Sequence, residues 1–323
     1  MRTPGKNSTD PFCSRENRRT GGLLDIFRIF LYIITYTVIT NCFLWTPTRM
    51  IPAKPSPVHE KPSSRLKVYW IGHATMLVRM EDRWILTDPN WSLRILTLGR
   101  HAEPGVQIQD LPPLHSIIVS HAHLDHLDAS TLKKLDKSAH LILPKGVSKD
   151  FSDYGFAKTS YVHWGDTVEE SGMMIHSVRA QHFGGRWLID NFWDGDPYTS
   201  YIIEYKGITV YFAGDTGYSQ EMFQEIGNRF KIDLALIPVG PFRFSGTSGL
   251  GNSVHVNPNG ALKMFDDLKA KWMVPMHFGT FYSPPEQELE VIKNAIQSSP
   301  KKDSVFLLGQ GESKDFFTQK GKE

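Results

Sequence analysis

Four side chains able to bind a metal ion fall within six residues: His121, His123, Asp125 and His126, in the run Ser120-His121-Ala122-His123-Leu124-Asp125-His126. Imidazole nitrogens and carboxylate oxygens suit divalent ions such as zinc, iron or manganese, and do not choose between them. On an extended backbone alternate side chains share a face, so His121 and His123 point the same way. Asp125 and His126 lie past the turn and can face a second ion. One histidine in a polar loop would be unremarkable. His-x-His-x-Asp-His directly after the apolar run Ile117-Ile118-Val119 is a different matter, because the end of a buried strand can turn all four groups inward. Thiolates play no part: the two cysteines, Cys13 and Cys42, both lie in the first 45 residues, which excludes a disulfide framework or cysteine ligands beyond them.

The elements that must carry this motif are legible as alternating apolar runs. Strands are expected at 67–71, 74–80, 83–87, 116–120, 141–143, 173–180, 199–205, 208–213, 234–238, 272–276 and 304–308, with Lys206-Gly207 closing a hairpin. Helices are expected at 129–137 after Asp128, at 219–229, at 258–269 after Asn257, and at 285–297. Strands followed by helices, then the same alternation again, describe two sheets with helices outside them, an α/β sandwich. With 40% apolar and 22% charged residues the 323-residue chain has ordinary globular chemistry, which excludes disordered, collagenous and polytopic membrane classes. Lys+Arg 36 against Asp+Glu 34 leaves a net charge of +2, so nothing asks for nucleic acid as a partner.

The histidine motif resembles that of the metallo-β-lactamase superfamily, and the rest of the chain supplies the expected companions in order. They are His182 after Gln181, Asp215 in Gly214-Asp215-Thr216, and His277 in Met276-His277-Phe278-Gly279-Thr280, each beyond an expected strand. Trp70-Ile71-Gly72-His73-Ala74-Thr75 and Thr87-Asp88-Pro89 also resemble early family segments, and the likeness covers residues 66–311. Within the superfamily the chain is most similar to N-acylphosphatidylethanolamine-hydrolysing phospholipase D, through Gly72-His73-Ala74-Thr75, Gln181-His182, His255-Val256-Asn257-Pro258 and His277-Phe278-Gly279-Thr280. The resemblance implies a four-layer αββα sandwich holding two divalent metal ions, zinc first, with iron or manganese as alternatives. His121, His123 and His182 would hold one ion, Asp125, His126 and His277 the other, with Asp215 bridging. It implies catalytic roles for Asp125 and His255, the latter at a phosphate oxygen or the leaving group. His73 and Asp88 would support the site from beneath, Asp88 as the acceptor that a ligating imidazole needs. Water activated between the two ions would attack phosphorus in line, with no serine or cysteine nucleophile.

Residues 29–45 carry no charge, at the short end of the roughly 20 residues that a spanning helix needs. Arg2, Lys6, Arg15, Arg18, Arg19 and Arg28 precede them, and Pro47, Pro52, Pro55 and Pro57 follow. The resulting division is 1–45, a basic segment and membrane anchor; 46–65, a proline-rich linker; and 66–323, the hydrolase domain, expected in an aqueous compartment outside the cytoplasm. The anchor is either transmembrane or, through Ile39-Thr40-Asn41-Cys42, of lipoprotein type. The apolar stretch 91–98 and the aromatics Phe183, Trp187, Phe192, Trp193, Phe242 and Phe244 suggest a hydrophobic entrance for acyl chains. The expectation is therefore a membrane-tethered, dinuclear metal-dependent phosphodiesterase, phospholipase D-like, whose partners are a phospholipid substrate and the membrane surface. A lactonase or other small-ester hydrolase would use the same ligands. A metal-free binding module would have lost one of them, and all seven are present.

Overall fold

The computed structural model describes residues 27–33, 35, 50–60, 62–149, 154–185 and 196–318. The chain divides into two compact units, Met1–Pro47 and Thr48–Glu323. In the first, residues 27–33 are helical and exposed. Among the described residues no helix is long and apolar enough to cross a membrane. Residues 36–45 of the expected anchor, with the Cys42 motif, lie outside the described residues, as do Trp187, Phe192 and Trp193.

The strands of the second unit, in chain order, are β1 (Ser64–Gly72), β2 (Thr75–Met80), β3 (Arg83–Thr87), β4 (Arg94–Ile95), β5 (Leu98–Gly99), β6 (Ser116–Ile118), β7 (His140–Pro144), β8 (Lys158–Val162), β9 (Thr167–Glu170), β10 (Met173–Val178), β11 (Ser200–Tyr205), β12 (Ile208–Phe212), β13 (Leu234–Pro238), β14 (Trp272–Met276) and β15 (Ser313–Thr318). They form a seven-stranded sheet in the order β15-β1-β2-β3-β6-β7-β8, a six-stranded sheet in the order β14-β13-β12-β11-β10-β9, and the small hairpin β4-β5. The helices are α1 (Ala129–Leu132), α2 (Gln220–Arg229), α3 (Phe242–Ser245), α4 (Pro258–Asp267) and α5 (Pro285–Gln297).

The period-2 alternation of β1 sorts its side chains between two cores. Val68 and Trp70 join a cluster with Tyr201, Ile203 and Phe212 of the second sheet and with Phe223 and Phe265 of α2 and α4. Tyr69 and Ile71 face the opposite way, into a cluster with Leu132 of α1, Leu135 and Leu141. The layers are thus α1 and its neighbouring loops, the seven-stranded sheet, the six-stranded sheet, and the longer helices, the expected αββα order.

Both sheets are mixed. β3, β6, β7 and β8 run parallel, as do β12, β13 and β14. β10 is antiparallel to β11, which is antiparallel to β12, so β10 and β12 point the same way. Loops leaving the carboxyl ends of such strands are where open α/β sheets place their ligands.

Three expectations need correction. The helix expected at 129–137 stops at Leu132: Asp128 caps its start, but the Ser138 N–H donates to Asp136 Oδ1 at 3.0 Å, a local turn that competes with helix. Residues 304–308 are not a strand. Only Val305 bridges to Met273, and the chain turns at Gly309–Gly311 before pairing with β1 as β15. The stretch read as a linker is, in its described part, fixed to the domain. Ile51 bridges Ala102, the Ser56 N–H donates to Gly311 O at 2.7 Å, and β1 already begins at Ser64.

Candidate metal centre

The seven candidate metal ligands lie past the carboxyl ends of these strands, as does Asp88 after β3, while His73 follows β1 and His255 stands on the loop before α4. Past β6 the chain stays extended to Ser120 and then delivers His121, His123, Asp125 and His126 before α1. Asp88, directly after β3, anchors this turn: it accepts from the Ser120 N–H and the Ser120 hydroxyl, both at 2.6 Å. His182 follows β10, Asp215 follows β12, and His277 follows β14. Three of the site positions, His73 (φ 54°), Asp88 (φ 33°) and His277 (φ 66°), have left-handed backbone, a conformation uncommon outside glycine and frequent at functional sites.

The inner atoms converge in two groups. His121 Nε2 lies 2.8 Å from His123 Nδ1, and His182 Nε2 lies 3.3 Å from the same atom. In the other group His126 Nε2 stands 3.1 Å from His277 Nε2, and Asp125 Oδ2 is 3.6 Å and 3.8 Å from those two nitrogens. Asp215 sits among them, with Oδ1 3.1 Å from His277 Nε2 and Oδ2 3.3 Å from His126 Nε2; its carboxylate also groups with His182 and His255.

Three of the outer nitrogens are supplied with acceptors, which fixes their inner partners as lone-pair donors once a cation is present, while His277 Nδ1 is buried without a partner. His126 Nδ1–H donates to Asp88 Oδ2 at 2.6 Å, His182 Nδ1–H to Val254 O at 2.9 Å, and His121 Nδ1–H to the Ser120 hydroxyl oxygen at 2.9 Å. Asp215 Oδ1 is buried with no hydrogen bond. Nitrogen facing nitrogen at hydrogen-bond distance, beside an orphaned carboxylate oxygen, is a donor set in want of a cation. The charge balance agrees. Burial lowers the pKa of His126, but the Asp215, Asp125 and Asp88 carboxylates outweigh it and hold that imidazole well above its ordinary value. In the same cluster burial takes His123 down to about 4 and His182 to about 3. The carboxylates thus favour positive charge at His126, where a metal ion would displace a proton, while burial disfavours it at His123 and His182.

His255 stands before α4, whose cap Asn257 accepts from the Gly260 N–H at 3.0 Å. The side chain of Asn252 receives the Val254 and His255 N–H groups, and the Val256 N–H donates to Thr216 O, binding this loop to the one that carries Asp215. His255 Nδ1 is 3.6 Å from Asp215 Oδ2 and has no hydrogen-bond partner. It is not a loop histidine satisfied by carbonyls. His73 Nε2–H donates to Asp125 Oδ2 at 3.0 Å. Two participants escaped the sequence reading: Ser120, which links Asp88 to His121, and Tyr282, whose hydroxyl donates to Asp125 Oδ2 at 2.7 Å. Neither belongs to a metal-ligand pattern, so only the folded contacts disclose them. Phe183 packs against the rings of His123 and His182, and Phe244 stacks on His255, whereas Phe242 packs against the core.

Because Asp88 is buried beneath three donors, Asp88→Ala leaves at least one of them unpaired. The metal-free variant is expected to lose about 1–3 kcal/mol of unfolding free energy, read by urea denaturation. An unchanged midpoint would remove Asp88 as the anchor of the turn.

Residues 83–278 match the family model of the beta-lactamase superfamily domain. An uncharacterized protein of Mycobacterium tuberculosis is 28% identical over 281 residues, covering 83% of this chain and 73% of its own length. N-acyl-phosphatidylethanolamine-hydrolyzing phospholipase D 1 of Caenorhabditis elegans is 30% identical over 272 residues, covering 76% of this chain and 74% of its own. Among solved structures, Igni18, a metallo hydrolase of the archaeon Ignicoccus hospitalis, matches 78% of this chain and 99% of its own with a TM-score of 0.56. At 23% identity that likeness is one of fold.

Proposed function

Since the chain belongs to the metallo-β-lactamase superfamily of metal-dependent hydrolases, we propose that it is a dinuclear phosphodiesterase that removes the head group of N-acylphosphatidylethanolamine or a related phospholipid. The observation that carries this reading is where the second unit leaves large apolar side chains in solvent. Apart from Ile51 and Met174, the exposed ones among its described residues are Leu93, Leu96, Phe183, Phe244 and Leu250. Those five sit on the segments that leave β3, β10 and β13 at the end bearing the histidine cluster, Phe244 within the short helix α3. Exposed apolar groups gathered at one end suit a substrate with acyl chains and a bilayer surface better than a small polar ester.

In this reading His121, His123 and His182 would hold one ion and Asp125, His126 and His277 the other, with Asp215 available to both. Ions bound there would acidify water and neutralise the charge of the phosphodiester. The chain's own groups do the rest. Asp88 and Ser120 orient the imidazoles, Phe183 and Phe244 flank the way in, and His255 protonates the departing alcohol or donates to a phosphate oxygen. The oxygen of water ends on phosphorus, and the N-acylethanolamine leaves with the proton. An anchor within residues 1–45 would keep the domain beside a substrate whose chains remain in the bilayer.

The test is head-group release by the purified full chain, loaded with zinc, from vesicles of N-acylphosphatidylethanolamine and of plain phosphatidylethanolamine. Release of N-acylethanolamine supports the reading; an enzyme that opens lactones and ignores every phosphodiester overturns it. Deleting residues 1–45 is expected to lower the vesicle rate and to leave hydrolysis of a soluble short-chain phosphodiester unchanged. Equal vesicle rates would dismiss the tether. Of the apolar side chains within 91–98 only Leu93 and Leu96 are well exposed, at 60% and 67%, while Ile95 is buried. Leu96→Asp should therefore lower the vesicle rate, and Ile95 would report on folding instead.

A further inference from the structure

Of the two carboxylates in the proposed ligand set, Asp125 and Asp215, it is Asp125 that has an oxygen held by hydrogen bonds from outside that set. Oδ2 accepts from the Tyr282 hydroxyl at 2.7 Å and from His73 Nε2–H at 3.0 Å. Two donors on one oxygen, arriving from different segments, stop the carboxylate from rotating about its Cβ–Cγ bond. Tyr282 lies on the loop between β14 and α5. Its ring is nearly parallel to His277, with centroids 6.4 Å apart at 17°, and meets Phe244 edge-on at 5.2 Å. The ring thus packs while the hydroxyl reaches a single partner, and phenylalanine would fill the same space without the hydrogen bond.

Resting on the two-ion reading above, we propose that Tyr282 is a positioning residue of the metal centre. Together with His73 it fixes Asp125, and so sets the affinity of the ion shared by Asp125, His126 and His277. Among the described residues its hydroxyl bonds to Asp125, outside the His121, His123 and His182 group. Groups that orient a metal ligand from behind are worth about tenfold to a hundredfold in metal affinity.

The experiment compares full-length Tyr282→Phe with the unchanged protein during stepwise zinc removal by a competing chelator, alongside visible absorption of the cobalt-substituted forms. One of two ions should dissociate about ten to a hundred times more readily while the other keeps its affinity. One set of cobalt bands should shift, and activity lost at low zinc should return with excess zinc. Two ions held as tightly as before, or both weakened alike, would overturn the proposal. So would a metal-free variant that melts well below the unchanged protein, since the hydroxyl would then serve the fold. An unchanged protein that never binds more than one ion would overturn the two-ion reading, a result read without the variant.

Discussion

Asp215→Ala should leave no turnover above the metal-free background and should come off purification with less than two ions per chain. Its two oxygens approach histidines of the Asp125 group at 3.1 Å and 3.3 Å, and its carboxylate also groups with His182. Asp88 also groups with His121 and His126, but it accepts from the outer Nδ1–H of His126, whereas Asp215 approaches the inner Nε2 atoms, so its loss removes the negative charge that faces both ion positions. Without it, six imidazole and carboxylate ligands remain, but the two metal positions repel each other with nothing between them. Asp215→Asn separates charge from shape: the amide fills the space, carries no charge, and should lose metal as well. Mass spectrometry of the intact protein decides the matter. Two ions retained in the alanine variant would refute a bridging role.

His255→Ala is expected to keep both ions and to slow turnover by about 10²–10⁴, the range for a lost acid–base group. The imidazole is buried at the cleft with Nδ1 unpartnered, and burial lowers its pKa from the ordinary histidine value, with Asp215 pulling the other way. A side chain there serving only to pack would not leave a nitrogen without a partner. The distinguishing measurement pairs metal content with kcat on a soluble phosphodiester. Full activity with both ions in place would return His255 to a structural role. A variant short of one ion would instead make it a ligand.

The sequence disclosed those parts of the site whose chemistry is concentrated in a few adjacent residues. His121, His123, Asp125 and His126 are legible because a strand and its following turn present them together. His182, Asp215 and His277 are single residues far apart in the chain, and only likeness to a family picks them out from other histidines and aspartates. His140 shows why: its Nδ1 pairs with Glu170 at 2.8 Å, outside every group of metal-binding geometry among the described residues. Tyr282 and Ser120 were illegible because their roles are contacts across the fold. In the scaffold, fully buried strands rich in apolar residues, such as β12 and β13, announced themselves, as expected for strands buried on both faces. The edge strands β8, β9 and β15 did not, since their partly exposed side chains lack that signature.

The cleft draws on both sheets, from His121 after β6 to His277 after β14. During synthesis the His-x-His-x-Asp-His run therefore leaves the ribosome long before its companions exist. A nascent chain can offer a metal only a loose, partial set of ligands, and the full site exists only once β14 has docked beside β13. Metal acquisition then becomes an event of the finished fold. If ions bind only the folded chain, free metal at a hundred times its dissociation constant would add about 2.7 kcal/mol of stability per site. In a cell, the availability of metal would thus govern how long each molecule survives proteolysis as well as whether it works.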